Sequence, residues 1–279
     1  MKNSLGRFIN YSGKLLEAAL PAITASNRSL RYGDGLFESM RWEHGELSLA
    51  GFHFERLFHG LGVLQMEWTE DFNAGYLKDQ IAKLCIMNNQ ETARIRLNVF
   101  RTESPALFPM NNRLQFIIET ADLPDPKPEP LRVGIYAEEK KSTGILSNLK
   151  TNNYLIYIMA AKHAHQNGFD DALVLNSADR LCEATSSNVF FIMGRNIYTP
   201  PLSEGCVAGV MRRHLLNRLP EQGFSVNEIP ITKEMIMDMD EGFLTNAIRE
   251  IRPVSRIVNR EFPQKLTSAI IASLAKERS

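Results

Sequence analysis

Between residues 121 and 130 the chain reads ADLPDPKPEP, four prolines among acidic residues with no apolar periodicity. Proline fixes φ, removes a backbone donor and holds the residue before it extended, so this stretch can continue neither a helix nor a central strand. It predicts a linker at 121–130. On either side lie a smaller N-terminal domain over 1–120 and a larger C-terminal domain over 131–279. A chain of 279 residues is long enough to bury two cores. Both halves mix helical and strand patterns, which predicts an α/β fold of mixed α+β character.

In the first half, GRFINYSGKLL reads as a hairpin turning at Ser12-Gly13. Phe54, Leu57, Phe58, Leu61 and Leu64 recur at helical spacing and predict a helix over 51–65, with another over about 71–88. ARIRLNVF alternates, with Ile95, Leu97 and Val99 on one face and Arg94, Arg96 and Asn98 on the other; LQFIIE is a second strand. In the second half LRVGIYAE reads as a strand and 152–167 as a helix closed by Gly168. DALVLN and NVFFIM read as strands joined through the turn SADR, and NIYT continues the sheet. A helix over 209–219 stops at Pro220, GFLTNAI is a strand, and 263–277 a final helix.

Composition excludes several classes. Lys and Arg number 32 against 32 Asp and Glu, so no charge imbalance favours nucleic acid or an anionic membrane. The longest apolar runs, LIYIMAA and NVFFIM, are too short to cross a bilayer, and the N-terminus carries no secretory h-region. Three cysteines at unrelated spacings form neither a disulfide framework nor a metal site. His163 and His165 are two residues apart on a helix and diverge, so no metal pair is expected. These features predict a cytoplasmic protein acting on a small molecule, with no membrane and no nucleic-acid partner.

Lys150, in SNLKTNNYL, and Glu183, in LCEATSSNVFF, carry the chemistry. Lysine makes Schiff bases with carbonyl cofactors, and a carboxylate keeps a pyridine nitrogen protonated. Together they suggest pyridoxal 5'-phosphate. RYGDGLFESMR at 31–41, the run from Glu183 through IYT to Arg212, and TNAIREIRPV at 245–254 make the suggestion specific. The chain resembles the class IV, or fold type IV, pyridoxal-phosphate enzymes, which include branched-chain and D-amino-acid aminotransferases and 4-amino-4-deoxychorismate lyase.

The resemblance implies a two-domain homodimer holding pyridoxal 5'-phosphate. Lys150 matches the Schiff-base lysine that also moves the Cα proton, and Glu183 the partner of the ring nitrogen. Arg56, in HFERLF, matches the arginine that grips the phosphate. Gly209, Val210 and Met211 would complete the phosphate cup through backbone N–H groups at a helix start. A hydroxyl residue is common at the Met211 position in the aminotransferases. Thr245, Asn246 and Ala247 resemble a second phosphate-binding turn. Tyr154, four residues after Lys150 and expected one helical turn on, resembles a tyrosine that meets the cofactor's phenolic oxygen in some members. Asn188 would order the turn behind Glu183, as a cofactor-side residue or a packed structural one. Gly33 and Gly35 would supply a tight bend and Phe37 would line the substrate cavity. Arg94, Arg96 and Arg101 are candidates for a substrate carboxylate, against the alternative of a solvated strand face.

Which reaction follows is left to finer features. The R-x-H carboxylate trap of D-amino-acid aminotransferases would fall near SPALFP, which has neither residue, and Phe37 replaces their tyrosine. YTPPLSEGCVAGVMR and TNAI resemble the lyases; KTNNYL, GLFESMR and Arg96 resemble branched-chain aminotransferases. The expectation favours 4-amino-4-deoxychorismate lyase, forming 4-aminobenzoate and pyruvate. A branched-chain-type aminotransferase is the alternative, and a non-catalytic binding protein of the same family a third reading.

Overall fold

The structure, a computed structural model, describes residues 5–124 and 129–276. Of the expected linker 121–130, residues 125–128 lie outside the described residues. The chain divides into two compact units. One comprises Met1–Pro124 with Leu149–Asn153, the other Asp125–Asn148 with Tyr154–Ser279.

The first unit contains, in chain order, β1 (Phe8–Tyr11), β2 (Lys14–Glu17), α1 (Arg28–Tyr32), β3 (Gly35–Glu43), β4 (Glu46–Leu47), α2 (Ala50–Val63), α3 (Ala74–Met87), β5 (Thr92–Arg101) and β6 (Leu114–Ala121). The strands form one antiparallel sheet in the order β2-β1-β6-β5-β3-β4. Its first hairpin turns at Ser12 and Gly13, both with positive φ, as a two-residue turn between right-twisted strands requires. The alternation of β5 is realised: Ile95, Leu97 and Val99 are fully buried against Leu57 and Leu61 of α2 and Leu77, Ile81 and Leu84 of α3. Each such side chain contributes roughly 1.5–3 kcal/mol on burial. Asn73 starts α3, its side chain accepting from Tyr76 N.

The bend expected of Gly33 and Gly35 is made by Gly33 alone, which ends α1 at φ 67°. Gly35 opens β3, where a Cβ would stand 2.6 Å from both Val99 O and Asn152 Nδ2. Thr151 bridges Leu36, Phe37 N donates to Lys150 O at 2.9 Å and Asn152 N to Gly35 O at 3.0 Å. Residues 149–153 thus lie as a short rung beside the start of β3.

The second unit contains β7 (Leu131–Lys141), α4 (Leu155–Gln166), β8 (Asp171–Asn176), β9 (Leu181–Ala184), β10 (Asn188–Met193), β11 (Asn196–Thr199), α5 (Val210–Arg218), β12 (Ser225–Glu228), β13 (Glu241–Asn246), β14 (Glu250–Ile257), β15 (Arg260–Glu261) and α6 (Lys265–Lys276). They build a mixed sheet in the order β12-β11-β10-β13-β14-β7-β8-β9, with β15 paired to β14. β8 is buried at every position, which explains its unbroken apolar run.

Two expectations for this unit are corrected. The SADR turn joins β8 to β9, a four-residue strand that carries Glu183, and NVFFIM follows as a separate strand. The helix expected from 152 begins at Leu155 with Tyr154 as its N-cap, so Tyr154 is not one helical turn beyond Lys150. Asn152 and Asn153 are weak helix formers, and the backbone of this segment pairs with β3 instead.

Candidate active site

Within the first unit, three side chains expected at the site meet. The backbone pairing of Lys150 with Phe37 fixes the lysine beside β3, and its Nζ lies 4.4 Å from the centroid of the Phe37 ring. The Arg96 guanidinium lies 4.1 Å from the same centroid. A primary amine and a carboxylate-seeking cation therefore both lie against the Phe37 ring. Arg94 faces the same way as Arg96 but stands in register with Arg41. Arg101 is differently employed: its guanidinium donates to Asp34, Asn112 Oδ1 and the carbonyls of Leu64 and Gln65, bracing loops from within. That commitment corrects its expected part in substrate binding.

Period-2 alternation puts Glu38 on the inner face of β3 with Leu36 and Met40, and all three are buried. A carboxylate cannot be stable there unpaired. Glu38 Oε1 accepts from Arg56 Nε at 2.8 Å, Arg56 Nη2 adds a second bond, and His53 Nδ1 lies 2.7 Å from Oε2. Burial alone would raise the Glu38 carboxyl, but Arg56 and His53 outweigh it and hold the group down at about 2. Arg56 is thus held in a fixed plane from α2.

In the second unit, Glu183 is buried on β9. Lys141 Nζ and Tyr157 OH both donate to its Oε1, the phenol at 2.7 Å, and Val207 N donates to Oε2 at 3.0 Å. Burial and the adjacent Glu183 push the Tyr157 phenol up, so it remains a donor. The neighbouring thiols of Cys182 and Cys206 are pushed up to about 12 by burial, and Cys182 donates to Glu204 O at 2.9 Å, so neither is an activated nucleophile. The ring of Tyr154 packs 4.5 Å from that of Tyr157.

Asn188 ties the next turn down, its Nδ2 donating to Val207 O at 3.0 Å. Gly209 then opens α5 with no side-chain cap, leaving the first amides of the helix, from Val210 and Met211 onward, as an uncapped N-terminus. Thr245 stands opposite Asn188 in the ladder between β10 and β13, and its buried Oγ1 has no hydrogen-bond partner among the described residues. The Asn246 side chain accepts from Ile248 N and Arg249 N and donates to Ser187 Oγ, so it orders the turn holding Ala247.

Lys141, Tyr157, Glu38 and His53 were not singled out by the sequence. The available signals were a charged residue between two inner-face apolar positions for Glu38, and a second lysine ending a strand for Lys141.

These residues fit pyridoxal phosphate. The orphaned Thr245 hydroxyl and the uncapped start of α5 suit a phosphate group, while a buried carboxylate ringed by donors suits a pyridinium nitrogen. The turn also has little slack: a Cβ on Gly209 would stand 1.9 Å from Asn188 Oδ1. Gly209→Ala is expected to displace Asn188 and the helix start at about 1–3 kcal/mol. The dissociation constant for pyridoxal phosphate should rise about tenfold or more, read by fluorescence titration.

The sequence profile of the family described as Amino-transferase class IV matches residues 35–257. The chain belongs to that family. It is an enzyme, and the family implies pyridoxal phosphate as its cofactor. The aminodeoxychorismate lyase of Bacillus subtilis (strain 168) is 28% identical over 265 residues, covering 89% of this chain and 86% of that protein. The D-alanine aminotransferase of Bacillus licheniformis is 26% identical over 251 residues, covering 88% and 87%. A crystal structure of branched-chain aminotransferase from Thermoproteus uzoniensis with norvaline has the same fold, with a TM-score of 0.89 at 24% identity over 97% of this chain and 94% of that one. Among the described residues no helix is long and apolar enough to cross a membrane.

Proposed function

We infer that the chain is a 4-amino-4-deoxychorismate lyase. The observation that carries this reading is the approach of both Lys150 and Arg96 to the ring of Phe37, an amine and a guanidinium beside a flat apolar side chain. That arrangement suits a six-membered ring bearing an amine and a carboxylate, which becomes planar as 4-aminobenzoate forms. When bound, pyridoxal phosphate supplies a carbonyl that takes the substrate amine and a protonated ring that accepts the electron pair released at the amine-bearing carbon. Lys150 Nζ takes the proton from that carbon and gives a proton to the departing enolpyruvate, whose C–O bond to the neighbouring ring carbon breaks as the ring aromatises, leaving pyruvate and 4-aminobenzoate. Arg96 holds a substrate carboxylate through paired hydrogen bonds, and Phe37 orients the ring. In the first unit Arg56, kept in plane by Glu38, offers a guanidinium to a phosphate; in the second, the amides of Val210 and Met211 and the Thr245 hydroxyl offer anion donors. Glu183 keeps the ring nitrogen protonated, and Tyr154 meets the phenolic oxygen.

Further support comes from the lyase-like run YTPPLSEGCVAGVMR and from the lyase of Bacillus subtilis among the relatives. The lack of Arg and His in SPALFP weighs against a D-amino-acid aminotransferase. The second reading, a branched-chain-type aminotransferase, is favoured by KTNNYL and GLFESMR, and Arg96 would hold a substrate carboxylate in either reading. Self-association as a homodimer is supported by an apolar stripe on α4, where Leu155, Ile158 and Met159 are 77%, 50% and 44% exposed at one-turn spacing. Three buried free thiols suit a reducing cytoplasm.

Incubation with aminodeoxychorismate is expected to release 4-aminobenzoate and pyruvate in equal amounts, whereas leucine with 2-oxoglutarate yields no glutamate. Amino transfer from leucine without 4-aminobenzoate formation would overturn the lyase reading in favour of the second.

A further inference from the structure

One charged side chain beside Glu183 has no part in the roles above. Lys141 closes β7 at a register shift and is 8% exposed. Its neighbour Lys140 reaches outward to Asp179 at 2.6 Å. Of two adjacent lysines, one is thus a surface charge and the other a buried ammonium, which is unfavourable unless paired. Its partner is Glu183 Oε1, and its Nζ also lies 5.3 Å from the centroid of the Tyr157 ring.

The bonds to Glu183 are unevenly shared. Oε1 accepts from Lys141 and Tyr157, which fills its two lone pairs, while among the described residues Oε2 accepts from Val207 N alone and keeps one acceptor direction. Tyr157 brings a hydrogen bond to Oε1 but no charge, since its phenol stays protonated.

We propose that Lys141 is a positioning residue for Glu183: it fills Oε1 with Tyr157, turns Oε2 toward the cofactor ring nitrogen, and sets a positive charge against the buried carboxylate. The inference rests on the pyridoxal-phosphate reading above. A buried carboxylate needs a charged partner to compensate it. A compensated and aimed carboxylate holds the proton on the ring nitrogen, where it strengthens the electron sink. Without Lys141 the cation is lost and Oε2 is no longer held in that direction, so the ring proton loses its support.

The test uses the holoenzyme loaded with pyridoxal phosphate labelled with nitrogen-15 at the ring nitrogen. The wild-type resonance is expected at the protonated position. In Lys141→Gln, which keeps a donor and loses the charge, it should move toward that of unprotonated pyridine. The same variant should lower kcat roughly 10–100-fold, the range for partners that orient a liganding group, with KM little changed. Lys141→Arg should restore both. Tyr157→Phe, which removes a bond but no charge, should leave the nitrogen protonated. A Lys141→Gln holoenzyme with the wild-type resonance overturns the role of Lys141 alone, as does a Tyr157→Phe shift equal to that of Lys141→Gln. Wild-type protein that takes up no pyridoxal phosphate at Lys150 overturns the functional reading itself.

Discussion

Lys150→Ala is expected to lower turnover roughly 10⁴-fold or more, the scale seen when an enzyme loses a group that acts on the reacting atoms directly. The substitution should leave the fold in place. What seats residue 150 is its backbone: Phe37 N donates to its carbonyl, and the flanking Thr151 and Asn152 complete the rung beside β3. An alanine makes the same bonds, so the stability change should stay within about 0.5 kcal/mol. Borohydride treatment of the wild-type holoenzyme followed by peptide mass spectrometry should find the cofactor fixed to Lys150, and the variant should retain none. Turnover within tenfold of wild type at an unchanged thermal midpoint would remove Lys150 from the chemistry and with it the functional reading.

The same segment shows how far the sequence was legible. The hairpin at Ser12-Gly13 and the alternation of β5 were readable because turn stereochemistry and period-2 burial are local. The identities of Lys150, Glu183 and Arg56 were readable because few residue types can do their chemistry. Their settings were not. Lys150 precedes a helical pattern, yet its backbone pairs with β3, more than a hundred residues earlier. β9 is only four residues long and buried throughout, so it has no alternation to read. The partners of the expected residues are also remote in sequence: Glu38 is eighteen residues from Arg56, and Lys141 forty-two from Glu183. Such pairings come from tertiary burial, which no local pattern reports. Arg101 shows the converse, because its place on the strand suggested substrate binding while its guanidinium is occupied by Asp34, Asn112 and two carbonyls.

Glu38→Ala is expected to be the most destabilising single change considered. Glu38 is 1% exposed, and its removal leaves the largely buried Arg56 without the carboxylate that holds it and His53 without its Nδ1 partner. Breaking a buried pair from one side costs about 3–5 kcal/mol, which lowers the thermal midpoint by roughly 10 °C in a chain of this size. The pH dependence gives an independent check. The carboxyl is depressed from 4.5 to about 2, so its contribution is fully present above pH 4.5 and is lost as the pH falls through about 2. A shift of that size is worth about 3 kcal/mol, in agreement with the mutational figure. Urea unfolding between pH 5 and pH 2 should show the wild type losing this increment, while the variant, lacking the group, follows a shallower profile. Parallel curves would mean that Glu38 is not the carboxylate holding the cluster. The effect should also reach ligand binding. Because Glu38 fixes the plane of Arg56, the variant should lose affinity for pyridoxal phosphate by about tenfold or more while binding pyridoxal almost as before, since only the former presents a phosphate to a guanidinium. Equal losses for both would instead assign Glu38 to packing alone.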